Sequence, residues 1–315
     1  MATINGVLGP IETRDLGFTL MHEHILVANR AMRHCFPGYV DEEKLIRDAI
    51  GEMGSLKQRG VRTMVDLTAI NLGRDIRVIR EVAQKTGMQL IAATGFYWTE
   101  EPWMDAWDAE ALSEYLIREV REGIEGTDTK AGILKCATDR LGVTPFNKKL
   151  LQATARAHRL TGVPISTHTA VSNRSGLAQQ DVFEECGVDL GRVVIGHCGD
   201  SEDISYLESI LKRGSIIGMD RNGIDLILPT KQRVATIAEL CRRGWENQMV
   251  LSHDASCFID WFPKQLVEQT VPDWNYRHVS DVVIPALRES GVSGEQIRSM
   301  TVDNPRRFFE RQGTY

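Results

Sequence analysis

Short apolar runs alternate along the chain with longer segments in which apolar residues recur every three or four positions. The short runs are rich in β-branched residues and are bounded by turn-forming or polar residues, a combination that predicts strands. There are eight of them: residues 18–25, 62–68, 89–95, 132–137, 163–169, 192–198, 215–220 and 248–254. This rhythm predicts a repeated strand and helix unit.

The longer segments predict amphipathic helices, such as the one over residues 41–60, whose apolar side chains form one stripe. Near the end of the chain, Ser293 with Gln296 predicts a capping box, and Asn304 before Pro305 predicts the N-cap of a last helix. Several helical segments end at a glycine directly before the next strand, as expected when glycine closes a helix in the left-handed conformation. These glycines are Gly60, Gly162, Gly214 and Gly244.

Eight strand and helix units are the number that closes a TIM barrel, and mostly continuous apolar strands are typical of a parallel sheet covered by helices. An open doubly wound sheet has less support, because the sequence contains neither a GxGxxG turn after the first strand nor a GKS/T loop. We therefore predict an α/β fold with a single (β/α)8 TIM barrel domain over residues 1–315. Residues 1–17 are expected to form a short cap or hairpin, and residues 18–315 the barrel and C-terminal helices.

Composition is that of a soluble globular protein, with 42% hydrophobic residues, 25% charged residues and a net charge of −6 over 315 residues. The acidic balance argues against nucleic acid or an anionic membrane as a partner, so a small molecule is the expected ligand. The chain shows no signal-peptide pattern and no apolar stretch of membrane-spanning length, which predicts a cytoplasmic protein. Its six cysteines lack CxxC spacing and are expected to be buried thiols.

The stretch GFTLMHEHIL places His22 and His24 two positions apart in the first predicted strand. Side chains at i and i+2 of a strand point to the same face, so the two imidazoles could hold one metal ion while Glu23 turns away. Such pairs also occur by chance, and a lone histidine is usually a surface or core residue. The metal interpretation therefore needs further ligands.

Functional groups of TIM barrels lie at the carboxyl ends of the strands. The polar residues at those positions are His22, His24, Asp66, Lys135, His168, His197, Asp220 and Asp254. We interpret Asp66 and Asp220, together with Asp139, as carboxylates that hydrogen-bond behind the ligands. The remaining histidines are interpreted as structural or solvent-facing: His34, His158, His253 and His278.

Four imidazoles and a carboxylate exceed the three protein ligands that a catalytic zinc ion typically takes. Two divalent ions explain the set better, and two ions so close together need a bridging ligand. An ammonium group at Lys135 would be repelled by two cations, whereas a lysine carboxylated by CO2 is an anion that could bridge them. Zinc, cobalt, manganese and iron all accept such a ligand set.

The motifs MHEHI, ILKCATD, STHTA, IGHCGD and LSHDASC occur in this order at barrel-strand spacing. With NGVLGPIETRDLGFTLMHEH at the beginning and DNPRRFF at the end, they resemble the phosphotriesterase family of the amidohydrolase superfamily over essentially the whole chain. The resemblance implies two metal ions bridged by carboxylated Lys135 and a hydroxide. The other ligands it implies are His22, His24 and Asp254 for the more buried ion, and His168 and His197 for the more exposed one.

Within that family, two features resemble the lactonase branch rather than the true phosphotriesterases. Tyr97 follows the third strand, where its hydroxyl would lie close to the metal centre, and Arg221 follows the seventh strand, where it would pack the active-site loops. The stretch SCFIDWF also resembles the lactonase loop, with Trp261 lining a hydrophobic substrate channel. Phe258 and Phe262 could line this channel further, although ordinary loop packing explains each of them better.

The leading hypothesis is a metal-dependent hydrolase that opens a hydrophobic lactone, for example an N-acyl homoserine lactone, with promiscuous phosphotriesterase activity. Asp254 would act in it as general base or proton shuttle. The alternative is a dedicated phosphotriesterase, or a hydrolase of another carboxylic ester or of a phosphorylated lactone. A metal-binding protein without catalysis is disfavoured by the intact set of ligands.

The segment between the third and fourth strands departs from both branches. It carries Trp98, Trp103 and Trp107 among acidic residues. These tryptophans could roof the pocket or form a dimer surface, since aromatic residues are enriched at interfaces. A homodimer is expected by analogy with relatives alone.

Overall fold

A parallel sheet forms the centre of the structure, a computed structural model that describes residues 2–315. Two short strands, β1 (Thr3–Gly6) and β2 (Gly9–Glu12), precede this sheet. Within residues 2–315 the sheet contains nine strands: β3 (Phe18–Val27), β4 (Val61–Asp66), β5 (Gln89–Gly95), β6 (Ile133–Ala137), β7 (Ile165–His168), β8 (Val193–Ile195), β9 (Ile216–Met219), β10 (Met249–Leu251) and β11 (Ser256–Ile259).

The sheet closes into a barrel. Neighbouring strands follow the chain order from β3 to β10, and β11 pairs in parallel with β3. Backbone hydrogen bonds complete the seam between the two ends: Asp254 N donates to His22 O at 3.0 Å, and His24 N donates to Ala255 O at 2.9 Å. The predicted α/β barrel is thereby confirmed.

The last predicted strand, over residues 248–254, is wrong in its extent. Regular pairing stops at Leu251 and resumes at Ser256, so two short strands replace one. Between them Asp254 has a φ of 55°, in the left-handed region that no strand contains. The chain therefore bends at the carboxyl end of β10, and this bend carries the Asp254 side chain.

The sixth predicted strand, over residues 192–198, also ends early, because β8 stops at Ile195 and His197 has a φ of 60°. The other six predicted strands each overlap an observed strand.

Helices on the outside of the barrel connect the strands, and their apolar faces pack with outward-facing strand residues such as Leu134 and Ile195 in one large core cluster. Every helix within residues 2–315 is too short or too polar to span a bilayer. The helices of this range are α1 (Arg30–Cys35), α2 (Glu42–Gln58), α3 (Ile76–Thr86), α4 (Ala109–Arg121), α5 (Pro145–Thr161), α6 (Ser175–Glu185), α7 (Ile204–Lys212), α8 (Thr230–Arg242), α9 (Lys264–Thr270), α10 (Ile284–Glu289), α11 (Gly294–Arg298) and α12 (Asn304–Glu310).

Helix ends largely follow the sequence signals. The Asp41 side chain accepts a hydrogen bond from Lys44 N at the start of α2, and α5 ends at Gly162, which has a φ of 76°. The capping box of Ser293 with Gln296 is formed at the start of α11. These ends satisfy backbone groups that a helix leaves unpaired.

The prediction that Asn304 is an N-cap is wrong. A π-helical segment over Ser299–Asp303 runs directly into α12, so the helix needs no cap at this point. The Asn304 amide instead donates to Glu246 O at 2.7 Å and to Met249 O at 2.6 Å. These bonds fix the C-terminal helix against the start of β10.

The strands β1 and β2 form an antiparallel hairpin, as predicted for the first residues. The Asn5 amide donates to Ala131 O at 3.0 Å, just before β6. Val7 N donates to Leu90 O at 2.8 Å, near the start of β5. The hairpin therefore lies at the amino ends of the strands, opposite the rim where their carboxyl ends meet. The division into a cap over 1–17 and a barrel over 18–315 stays a prediction.

A smaller apolar cluster fills the barrel interior and rests on two phenylalanines of α12. Ile133 belongs to this cluster and shares its strand face with Lys135, so the cluster lies beneath the rim. The cluster includes Met21, Val65, Ile91, Ile133, Val194, Val250, Phe308 and Phe309.

The cysteines are free thiols, but not all are buried as predicted. Cys136, Cys198 and Cys241 are buried, whereas Cys35 is exposed. Cys35 is the last residue of the short helix α1, of which no residue is buried. Cys35 is therefore not buried, because its helix packs only loosely on the rim.

Candidate metal centre

The structure brings together the six predicted metal ligands at the carboxyl ends of the strands. Their positions on neighbouring or facing strands of a closed barrel make this convergence possible. The histidines and the lysine are buried, while Asp254 is partly exposed. They are His22 and His24 on β3, Lys135 on β6, His168 on β7, His197 after β8, and Asp254 after β10.

The ring nitrogens of these histidines face one another and the Asp254 carboxylate. His24 Nε2 lies 2.9 Å from Asp254 Oδ1, and His22 Nε2 lies 3.4 Å from the same oxygen. His197 Nε2 lies 2.7 Å from His168 Nδ1 and 3.8 Å from Asp254 Oδ2. Asp254 thus lies between the two pairs of imidazoles.

Asp220 fixes the orientation of two of the rings. Its Oδ2 lies 2.8 Å from His22 Nδ1, and its Oδ1 lies 2.9 Å from His197 Nδ1. Burial acts to raise the pKa of Asp220, but the two imidazoles outweigh it and hold that pKa well below its usual range. An ionised carboxylate only accepts hydrogen bonds, so both Nδ1 atoms carry the proton. The Nε2 lone pairs of His22 and His197 are therefore free to bind a cation.

The other two rings have polar partners of their own. His24 Nδ1 lies 2.9 Å from Thr68 Oγ1, and His168 Nε2 lies 3.4 Å from Asp139 Oδ2. Asp66 accepts a hydrogen bond from Thr68 N at 2.9 Å and so holds the residue that orients His24. Such partners fix the orientation of a metal-binding imidazole.

Burial also sets the charge of three of these histidines. It lowers the pKa of His22, lowers that of His168 to about 4, and lowers that of His197 well below its ordinary value. Near neutral pH these rings are therefore uncharged, which is the state that binds a metal ion.

Lys135 lies at the bottom of the site. Its Nζ is 3.2 Å from His22 Nε2, and burial lowers the pKa of its amine to about 8. An ammonium group is disfavoured where it cannot be solvated, so a substantial fraction of this amine is neutral near physiological pH. The neutral amine is the form that reacts with CO2.

Asp254 is held ionised by its surroundings. Burial acts to raise its pKa, but the nearby His22 and His197, the hydrogen bond with His24 and the charge of Arg221 hold it well below its usual range. A carboxylate facing imidazole lone pairs at these distances is unfavourable unless a cation lies between them. The donor chemistry therefore fits one or more divalent metal ions.

Two groups of three side chains have ligand atoms within 4.8 Å of one another: His22, His197 and Asp220, and His22, His24 and Asp254. The oxygens of Asp220 already accept hydrogen bonds from two imidazoles, so the first group is better explained as ligand support. The second group presents its atoms to the open side of the rim. We therefore regard His22, His24 and Asp254 as the better candidate set for a metal ion.

A cavity of about 420 Å³ opens above these ligands. Its floor is polar and includes Lys135 and Arg221, while its walls and mouth are mostly apolar. Such a cavity fits a small molecule whose reactive group is polar and whose remainder is apolar. The apolar lining includes Val27, Leu72, Ile224, Leu226, Ile227, Ile259, Phe262, Leu266, Val267 and Val271.

The predicted pocket residues divide into two groups. Tyr97 and Trp261 line the cavity, their ring centroids are 5.6 Å apart, and Tyr97 packs edge to face on His168 at 5.0 Å. Phe262 also lines the cavity, whereas Phe258, the other possible channel residue, does not line it. Phe258 instead packs against the large core cluster.

The tryptophans of the segment after β5 do not occur among the described residues that line the cavity. Trp103 packs on Phe96 with ring centroids 6.0 Å apart, and Trp107 packs on Tyr115 at 5.9 Å. Both indoles remain exposed. Of the two alternatives for these tryptophans, a roof over the pocket is therefore not formed, and a dimer surface stays a prediction.

Asp200 and Arg233 were not singled out from the sequence. The Asp200 carboxylate is buried and pairs with Arg221 Nη1 at 3.0 Å and with Arg233 Nη2 at 2.8 Å. Arg233 is also buried and donates to Gly199 O at 2.7 Å. The position of Asp200, three residues after His197 and close to a strand end, could have indicated a site residue. Arg233 lies on a helix, and the sequence gives no such indication for it.

The closed α/β barrel and the buried cluster of histidines, lysine and carboxylates at its rim define a barrel enzyme with a candidate metal-binding catalytic centre. The chain belongs to the phosphotriesterase family, whose model matches residues 2–309, within the amidohydrolase superfamily. The resemblance drawn from the sequence motifs is thereby confirmed.

Relatives resemble this chain over nearly its full length. The chain is 48% identical to the phosphotriesterase homology protein of Mycobacterium tuberculosis (strain H37Rv), with 100% of both chains covered. It is 39% identical to the aryldialkylphosphatase of Saccharolobus solfataricus, over 95% of this chain and 96% of that protein. A solved structure of the phosphotriesterase from Mycobacterium tuberculosis superposes with a TM-score of 0.96 at 48% identity, covering 99% of this chain and 100% of that one. The chain is accordingly a hydrolase of this family.

Proposed function

We propose that this hydrolase opens hydrophobic lactones, for example N-acyl homoserine lactones, and hydrolyses phosphotriesters as a side activity. The observation that carries the proposal is the combination of a polar floor with an apolar cavity of about 420 Å³. A lactone ring with an acyl tail has the same division, since its ester is polar and its tail is apolar.

The proposed centre holds two divalent metal ions, with zinc, cobalt, manganese and iron all compatible with the ligands. His22, His24 and Asp254 would hold one ion, His168 and His197 the other, and carboxylated Lys135 would bridge them. Ions bound there would lower the pKa of a water molecule and polarise a carbonyl or phosphoryl oxygen. The neutral rings and the ionised carboxylate support this assignment.

The residues of the chain have separate tasks in this proposal. Asp254 accepts the proton of the attacking water as general base. Arg221 keeps Asp254 ionised and in place through the 3.0 Å contact between its Nε and Asp254 Oδ2. Tyr97, buried beside His168, contacts the substrate near the reacting carbonyl. Trp261 and the neighbouring apolar wall bind the tail and exclude water.

A dedicated phosphotriesterase is the second candidate. It is favoured by the 39% identity to a protein named aryldialkylphosphatase. The apolar walls of the cavity would also accept the alkyl or aryl groups of a phosphotriester. The homodimer and the cytoplasmic location stay predictions in either case.

Initial hydrolysis rates on a panel of lactones with graded tail length, beside one phosphotriester, test the proposal. The enzyme is reconstituted with metal, and a chelator-treated sample is the control. We expect chelator-sensitive lactone hydrolysis whose kcat/KM rises with tail length. Turnover of the phosphotriester alone would favour the second candidate and overturn the first.

A further inference from the structure

Glu23 lies between the two histidines of β3 and is fully buried, although its side chain points away from the metal ligands. Its carboxylate contacts both neighbours of Asp254. Oε1 accepts from His253 N at 2.9 Å and lies 2.7 Å from His253 Nδ1, and Oε2 accepts from Ala255 N at 2.9 Å. One side chain thus holds the residues before and after Asp254.

The backbone at Asp254 needs such support. Its φ of 55° lies in the left-handed region, which is unfavourable for a residue other than glycine and persists only when the surroundings impose it. The Asp254 N–H donates to His22 O at 3.0 Å, on the same strand as Glu23. Strand β3 therefore holds the bend through its backbone and through the Glu23 carboxylate.

His253 extends this support to the C-terminal part of the chain. Its Nε2 accepts from Val279 N at 2.8 Å, so the proton lies on Nδ1 and is donated to Glu23. The His253 carbonyl accepts from Trp274 Nε1 at 3.0 Å. The ring is fully buried and is fixed at both nitrogens.

We infer that Glu23 and His253 are positioning residues that set the place of the Asp254 carboxylate in the reaction. Neither lines the cavity described above, so they act through Asp254 and not on the substrate. The inference rests on the proposed function, in which Asp254 is both a metal ligand and the general base. It explains why a buried acid lies in the middle of an apolar strand.

The variant Glu23→Gln tests the inference because it keeps the size of the side chain. Its amide group cannot accept at both ends, so one of the two N–H groups beside Asp254 loses its partner. We expect kcat to fall about 10- to 100-fold with KM within about twofold of wild type. The affinity of the apoprotein for zinc, measured by competition with a chelator, should fall about 10- to 100-fold as well.

A second pair of variants separates positioning from folding. In His253→Asn the amide nitrogen replaces Nδ1 as donor to Glu23, whereas His253→Leu has no donor. We expect the asparagine variant to keep at least about ten times the kcat and zinc affinity of the leucine variant. If Glu23→Gln gives no folded protein, the comparison of kcat and zinc affinity between His253→Asn and His253→Leu tests the inference instead.

Glu119→Gln is the matched control. Glu119 is a carboxylate on α4 that pairs with Arg74 and lies outside the cavity lining, so its loss should lower Tm without changing kcat or zinc affinity. Folded Glu23→Gln and His253→Leu with wild-type kcat and zinc affinity would overturn the inference. Wild-type protein without chelator-sensitive hydrolysis would instead overturn the proposed function, and the inference with it.

Discussion

Arg221 Nε donates to Asp254 Oδ2 at 3.0 Å, and both residues have left-handed backbones, with φ values of 60° and 55°. Arg221 Nη1 also donates to Asp200 Oδ2 at 3.0 Å. Burial acts to lower the pKa of the guanidinium, but Asp254 and Asp200 outweigh it and raise that pKa further. Arg221 therefore stays charged throughout and cannot transfer the proton of the proposed reaction. Its effect is on the charge and direction of Asp254.

Arg221→Ala should lower kcat/KM by about 10- to 100-fold, because a hydrogen bond to a charged group is worth about 1.5–3 kcal/mol. Arg221→Lys should recover only part of this loss, since one ammonium cannot reach both carboxylates in the same geometry. Metal content per chain, measured by elemental analysis, should stay at the wild-type level in both. Loss of metal at unchanged activity per bound metal would mean that Arg221 is structural.

Lys135→Ala and Asp254→Asn should each lower kcat by at least about 100-fold. The first removes the proposed bridging group and the second removes the proposed general base. Lys135→Ala should in addition reduce the metal content, which elemental analysis of the same samples measures. If either variant kept hydrolysis within a few-fold of wild type at equal protein concentration, the two-metal mechanism would be wrong.

Much of the fold follows from the sequence because strand and helix periodicities are local. The apolar runs predict where strands lie, and Gly162 marks the end of α5 as expected. The bend at Asp254 did not follow, since a left-handed aspartate is stabilised by contacts with β3 that are distant in the chain. The prediction that Asn304 is an N-cap was wrong for a similar reason, because the carbonyl groups that its amide contacts belong to β10 and the turn before it.

The candidate site was predictable where strand ends carry unusual side chains, as at Lys135 and His168. The two ion pairs of Asp200 with Arg221 and Arg233 were only partly predictable, because the three residues come from separate elements and meet only after the barrel closes. The apolar mouth of the cavity was also only partly predictable from the sequence. Leu226 and Ile227 line it from the turn before α8, where exposed apolar residues give no periodic signal.

Trp261→Ala should reduce the preference for long lactone tails. Each methylene group buried in the cavity is worth about 0.8 kcal/mol, so wild-type kcat/KM should rise about fourfold per methylene while the tail stays inside. Without the indole, which packs 5.6 Å from Tyr97, this rise should become smaller and short lactones should be little affected. Trp107→Ala is the control, since Trp107 is a similarly exposed tryptophan outside the cavity lining. If kcat/KM rose equally per methylene in wild type and in Trp261→Ala, the tail would not bind beside Trp261.

The buried His158 should make the metal-free protein less stable in acid. Its Nδ1 lies 2.7 Å from Val163 O and its Nε2 lies 2.8 Å from the Tyr315 hydroxyl, an arrangement that fits a neutral ring.

Burial lowers the pKa of His158 below the 6.5 of an exposed histidine. At a pH between the pKa of His158 in the folded chain and its higher pKa in the unfolded chain, the unfolded chain binds a proton that the folded chain does not. The free energy of unfolding therefore falls as pH decreases below about 7. The variant His158→Asn keeps a donor for Val163 O but does not titrate. Urea unfolding of both chelator-treated proteins at pH 8, 6.5 and 5 should show the wild type more stable at pH 8, with the difference narrowing in acid. Other titrating groups contribute equally to both proteins, so parallel curves would mean that His158 does not titrate differently on folding.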